Sequence, residues 1–124
     1  MRIYLDHNAT TPVAPPVAEA MARVLRDEFG NPSSVHAFGQ RAKALLDEAR
    51  SAVAALVGGA ASEIVFTSGG TEADNLAVRG AAEAPESGGG RHLVASAIEH
   101  EAVLATLKAL ERRGWRTTLL PVDA

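Results

Sequence analysis

The residues of this chain best suited to chemistry lie in one run, Phe66-Thr67-Ser68-Gly69-Gly70-Thr71-Glu72-Ala73-Asp74-Asn75-Leu76. An apolar stretch, Ile64-Val65-Phe66, leads into two glycines, and a hydroxyl residue then opens a helical pattern. This layout suits an anion. The first N–H groups of a helix have no intrahelical acceptor, and the helix dipole favours negative charge there. Glycine lets a ligand approach the backbone closely. The guest this chemistry favours is a phosphate monoester. A purely architectural reading stands beside it. Thr71-x-x-Asp74 also fits a capping box, and Gly69-Gly70 fits a plain turn. The run is not a P-loop, because no Gly-Lys-Ser/Thr follows, and it is not G-x-G-x-x-G.

Three further segments carry polar residues between apolar elements. Leu5-Asp6-His7-Asn8-Ala9-Thr10-Thr11-Pro12-Val13 stands near the start. Gly30-Asn31-Pro32-Ser33-Ser34-Val35-His36 follows a helical pattern, and Ala97-Ile98-Glu99-His100-Glu101-Ala102-Val103 follows a strand-like run. In this order and spacing, and with the Thr67–Glu72 run, they resemble the N-terminal part of the cysteine desulfurases. Those are pyridoxal 5'-phosphate enzymes of the class V aminotransferase group. The resemblance covers essentially the whole chain. Each motif is moderately specific alone, and the ordered set is far more so.

The resemblance implies the aspartate-aminotransferase-like α/β fold, fold type I, with a mostly parallel sheet flanked by helices. Residues 1–15 then form an N-terminal strand and turn segment, and residues 16–124 begin the large cofactor-binding domain. It implies conversion of L-cysteine to L-alanine, with the sulfur carried as a persulfide on an enzyme cysteine. Acceptors would be an iron–sulfur scaffold or a tRNA-thiolation protein. The family forms homodimers whose active sites borrow residues from the partner subunit. Alternatives are another class V enzyme, such as a selenocysteine lyase or an aminotransferase, or a non-catalytic piece acting only in dimerisation or binding.

Pyridoxal phosphate makes four demands: a cradle for its phosphate, a flat partner for its ring, a carboxylate for its pyridine nitrogen and a lysine for its aldehyde. By the resemblance, Gly70 and Thr71 match the phosphate-holding positions. His100 matches the histidine over the ring, a candidate for proton transfer as well. An imidazole is flat and titrates near neutrality, so it suits both tasks. The architectural alternative makes His100 a solvated residue of a first helical turn, with Ser96-x-x-Glu99 as a capping box. Asn8, Ala9 and Thr10 are placed by the resemblance near the mouth of the site. Their types equally fit a polar turn between strand and helix. Asn31–His36 read as a structural loop and helix cap, and Asp74 and Asn75 as holders of a helix start.

The other two demands have no candidate. The chain has two lysines, Lys43 and Lys108, each on the polar side of a helical pattern. A lysine that holds an aldehyde should be partly desolvated to lower its pKa. There is no cysteine, so thiolate metal sites and disulfides are excluded, and no metal site is expected.

The elements that must position these residues follow from periodicity. Residues 2–5 read as a short strand. Pro15-Pro16 suits a helix start, and Val17, Met21, Val24 and Leu25 recur at helical spacing up to Phe29-Gly30. A second helix carries Phe38, Ala42, Leu45, Leu46, Ala49, Val53 and Leu56 on one stripe and ends at Gly58-Gly59. Then come a strand at Ile64–Thr67, a helix from Thr71 to about Ala82, and a surface loop at Pro85–Gly90. A strand at His92–Ser96, a helix from about His100 to Arg113 and a strand at Arg116–Val122 complete the pattern. The β-α-β-α-β order from residue 63 onward argues an α/β sheet that is largely parallel. The pattern stops where another helix would cover the sheet, which reads as the N-terminal portion of a longer protein.

Bulk properties narrow the class. The 124 residues carry a net charge of −3, with 47% hydrophobic and 22% charged residues, as in an ordinary globular domain. No basic block supports nucleic-acid or anionic-membrane binding. No apolar run is long enough to span a bilayer and no signal-peptide core is present, so the cytoplasm is the expected compartment.

Overall fold

Proline, glycine and histidine punctuate the helices of this chain, and their positions set its layout. The computed structural model describes residues 3–84 and 90–123. In chain order the elements are α1 (Pro15–Asp27), α2 (Ala37–Val57), a 3₁₀ turn (Ala61–Glu63), α3 (Gly70–Glu83), β1 (His92–Ser96), α4 (Glu101–Glu111) and β2 (Arg116–Leu120). They fall into two compact units, one reaching to Val65 and one beginning at Phe66.

In the first unit, α1 begins on Pro15, whose fixed φ and missing N–H suit a first helical turn. No residue of α1 is buried, and its stripe of Val17, Met21, Val24 and Leu25 is exposed. Helix α2 starts at His36, whose ring nitrogen Nδ1 accepts the Gly39 N–H at 3.3 Å. It ends at Gly58, where φ is +71°, the left-handed conformation that favours glycine. Arg41 pairs with Glu28 at 2.6 Å, and Phe29 stacks on Phe38 at 5.4 Å, which joins the end of α1 to the start of α2. Lys43 pairs with Asp47 at 2.5 Å on the exposed face, as its place in the sequence pattern predicts.

The second unit is a β-α-β layer with one added helix. Strands β1 and β2 are parallel, paired in register from His92↔Arg116 to Ser96↔Leu120. Helix α4 connects them and packs against α3. Among the described residues of this unit, Ala82, Ala102, Thr106, Leu107 and Leu110 are buried, and Leu110 is the most enclosed of them. On α4, Val103, Leu104, Leu107 and Leu110 share one helical stripe; Leu107 and Leu110 are buried, Val103 and Leu104 half-buried, and Lys108 stays exposed.

Two expected strands are not paired. Residues 3–5 join no sheet. Their neighbourhood is organised by local bonds instead: the Tyr4 hydroxyl reaches the Asp6 carbonyl at 2.9 Å and Thr10 Oγ1 at 2.7 Å. Residues 64–67 likewise lie outside any ladder. The Ile64 carbonyl accepts from Arg50 Nε at 3.3 Å, so a side chain takes an acceptor that a neighbouring strand would use. The sheet therefore has two strands among the described residues, rather than the three the alternation predicted. The expected loop at Pro85–Gly90 lies, Gly90 apart, outside the described residues.

Candidate functional site

The second unit holds the residues with the strongest chemical case. Helix α3 opens at Gly69 and Gly70, and its first backbone bond runs from the Ala73 N–H to the Gly69 carbonyl at 3.1 Å. No side chain caps this end. The N–H groups of Gly70 and Thr71 are left without an acceptor among the described residues, as is the Thr71 hydroxyl. Gly69 has φ 169°, extended backbone that any residue adopts, and a Cβ on either glycine would meet nothing within 4 Å. The chain's own packing thus gives no reason for glycine at either position. Open space and free donors at a helix start are what a phosphate needs.

The capping box read from Thr71 and Asp74 does not form. The reason is that Glu72 holds the turn instead. Its carboxylate accepts from Ser68 Oγ at 2.6 Å and from the Ser68 N–H at 2.8 Å. The Ser68 hydroxyl, then its N–H, hold the Glu72 carboxyl below its ordinary value of 4.5. The turn is thereby braced without using the N–H groups of Gly70 and Thr71.

His100 occupies the start of α4. Its Nδ1 accepts the Ala102 N–H at 3.1 Å, so it is the N-cap residue rather than a residue within the first turn, and it stays exposed. The expected Ser96–Glu99 box is absent, because Ser96 Oγ accepts the Ile98 N–H at 3.3 Å and His100 does the capping. This bond fixes the ring. With Nδ1 accepting, the neutral imidazole carries its proton on Nε2.

Thr71 and His100 line one groove of about 400 Å³ along α3 and α4. Gly70 precedes Thr71 at the first position of α3. Asn75 and Thr106 line the same groove and were not legible as site residues. The signal for Thr106 was a hydroxyl placed on an otherwise apolar stripe. Asn75 was read as holding the start of its helix, whereas its side chain also reaches α4.

Asn8, Ala9 and Thr10 belong to the first unit and are exposed. They form a turn in which the Ala9 N–H donates to the Asp6 carbonyl at 3.1 Å. Asn31–His36 form the structural loop expected: Asn31 Oδ1 accepts the Ser33 N–H at 2.9 Å, and His36 caps α2. Among the described residues no group of acidic and histidine side chains could hold a metal ion, and no helix is long and apolar enough to cross a membrane.

Comparison with known proteins bears directly on this geometry. The aminotransferase class-V family profile matches residues 3–124. The chain belongs to the class V aminotransferase family. Class V aminotransferases and the cysteine desulfurases among this chain's relatives are pyridoxal-phosphate enzymes. One relative is the putative cysteine desulfurase IscS 1 of Bacillus subtilis, 52% identical over 98% of this chain and 32% of its own length. Another is the cysteine desulfurase IscS of Dictyoglomus turgidum, 47% identical over 98% of this chain and 30% of its own length. A solved NifS-like protein superimposes with a TM-score of 0.88 at 41% identity, over 99% of this chain and 34% of the other. A second, SspA in complex with cysteine, gives a TM-score of 0.83 at 42% identity, over 94% of this chain and 33% of the other. This class V chain spans about a third of the length of the relatives it matches.

Proposed function

We propose that this class V chain is the phosphate- and ring-holding portion of a pyridoxal-phosphate-dependent cysteine desulfurase. The observation that carries the reading is the shared groove of Thr71 and His100, with uncapped donors at the start of α3. Similarity to named cysteine desulfurases over nearly the whole chain supports it. The residues fit the cofactor: Gly70 and Thr71 would hold the phosphate through free N–H groups and a hydroxyl, and His100 would face the ring. Bound, pyridoxal phosphate supplies an electron sink for bonds at the substrate's α and β carbons. His100 keeps Nε2 clear of its capping bond, so that nitrogen can hold or deliver a proton while Nδ1 anchors the ring.

In this reading residues 1–15 form an N-terminal segment, with Asn8, Ala9 and Thr10 close to substrate, and residues 16–124 open the cofactor-binding domain. Lys43 and Lys108 are both exposed, so the lysine for the cofactor aldehyde, the pyridine-nitrogen aspartate and the sulfur-accepting cysteine are assigned to the portion matching the rest of the relatives' length. The protein works as a cytoplasmic homodimer that passes sulfur to an iron–sulfur scaffold or a tRNA-thiolation protein. The test is to supply the full-length protein with pyridoxal phosphate and L-cysteine, then measure alanine and protein-bound sulfur. Alanine and protein-bound sulfur formed in equal amounts are expected. Amino-group transfer to a keto acid, or alanine from selenocysteine alone, would overturn the assignment in favour of another class V activity.

A further inference from the structure

Thr106 is the one buried polar residue among the described residues, 2% exposed in the middle of an apolar stripe. Such a group needs partners, since an unpaired buried hydroxyl is costly. Its Oγ1 lies 2.7 Å from Asn75 Oδ1 on α3 and 2.8 Å from the Ala102 carbonyl one turn back on α4. A hydroxyl has one hydrogen, so it divides that hydrogen between two acceptors or chooses one. The Asn75 amide cannot turn over to relieve this. Its Nδ2 donates to the Thr71 carbonyl at 2.8 Å, and a flipped amide would set oxygen against oxygen there.

The bonds form a continuous path between the two proposed cofactor holders. Thr71 accepts from Asn75, Asn75 accepts from Thr106, and Thr106 reaches Ala102. The Ala102 N–H in turn donates to His100 Nδ1. We infer that Asn75 and Thr106 are positioning residues that hold the phosphate cradle at Thr71 and the imidazole of His100 in fixed relation. The inference rests on the proposed use of Thr71 and His100 by a pyridine phosphate cofactor. Neither Asn75 nor Thr106 needs to touch that cofactor. A helix pair joined through apolar contacts alone can slide by small amounts. A buried hydrogen bond has a narrow distance range and fixes the register of one helix on the other.

The experiment uses the full-length protein and three variants: Thr106→Val, which keeps the volume and removes the hydroxyl, Thr106→Ser, which keeps the hydroxyl, and Asn75→Ala. Three quantities are read: cofactor affinity of the cofactor-free protein, circular dichroism of the bound cofactor's visible band, and thermal midpoint. Thr106→Val and Asn75→Ala should each weaken cofactor binding about tenfold, the scale of one lost hydrogen bond, and change the visible dichroism. Thr106→Ser should restore both. A double-mutant cycle of Thr106→Val with Thr71→Val should be non-additive in affinity, because one residue acts through the other. A lower thermal midpoint with unchanged affinity and dichroism would overturn the inference and leave the network a matter of stability alone. Additive effects would also overturn it. Failure of the underlying functional reading looks different: the unmodified protein would then bind no cofactor.

Discussion

Helices α2 and α3 both begin after a glycine-containing loop, yet their first turns are put to opposite use. At α2 the loop is closed. His36 takes the Gly39 N–H, the Asn31 side chain takes the Ser33 N–H, and Gly39 is buried. A Cβ on Gly39 would overlap the Ser34 carbonyl and lie 2.6 Å from that of Asn31. At α3 the first turn is open. The N–H groups of Gly70 and Thr71 are uncapped, and a Cβ on either glycine would meet nothing within 4 Å. A helix start whose donors are spent within the chain is architecture. One whose donors are held clear by an outside brace, here Ser68 with Glu72, is a candidate anion site.

The sharpest way to break this contrast is to add a methyl group at both places. Gly39→Ala should destabilise the full-length protein by about 3 kcal/mol, because backbone atoms must move. Gly70→Ala should change stability by less than about 1 kcal/mol. Urea denaturation of the two variants compares them directly, and equal losses would erase the distinction between a closed and an open loop.

Next in size is the hydroxyl itself. Thr71→Val should weaken pyridoxal-phosphate affinity by about 1.5–3 kcal/mol, as for a hydrogen bond to a charged group, and leave the fold intact. Equilibrium dialysis and thermal melting together decide it. A variant that melts early and binds cofactor normally when folded would return this turn to architecture.

His100 sharpens the comparison because it caps a helix and is also proposed to face the ring. His100→Ala should weaken cofactor retention, slow alanine formation and remove a cap worth about 1 kcal/mol. His100→Asn should restore the cap and leave retention and turnover impaired. Full recovery in the asparagine variant would make His100 a cap residue only.

The smallest effect concerns the brace. Glu72 has a folded pKa below its ordinary 4.5, so more protons bind to it in the unfolded chain at mildly acid pH. Its contribution to stability is fully present above 4.5 and fades as the pH falls through the lower folded value. Glu72→Gln should flatten this part of the acid limb. Thermal midpoints followed from neutral to acid pH for both proteins test it, and superimposed limbs would count against the brace.

Much of the local geometry around these residues was legible in residue types. Gly69-Gly70-Thr71 announced an open helix start because free N–H groups are a property of any helix end. His36 and Gly58 lay where α2 begins and ends, since caps are local chemistry. The α4 stripe of Leu107 and Leu110 with Lys108 outside it followed from a 3.6-residue period. Pairing is not local, and there the reading from sequence went too far. Ile64–Thr67 has the composition of a strand, but a strand requires a neighbour, and the Ile64 carbonyl went to Arg50.

From the sequence alone came the α/β order of the second unit and the bounds of its helices within a few residues, which follow from the period of apolar residues along the chain. The candidate roles of Gly70, Thr71 and His100 came from the family resemblance of the motifs around them. Which local alternative formed, Glu72 and not Asp74 at the start of α3 and His100 at the start of α4, was decided only in the folded chain, and tertiary packing alone brings Thr106 to Asn75 across two helices. The last contact joins residues 31 positions apart. No periodicity or spacing encodes such a meeting. It exists because burial on the α3–α4 face leaves one hydroxyl and one amide with each other as partners.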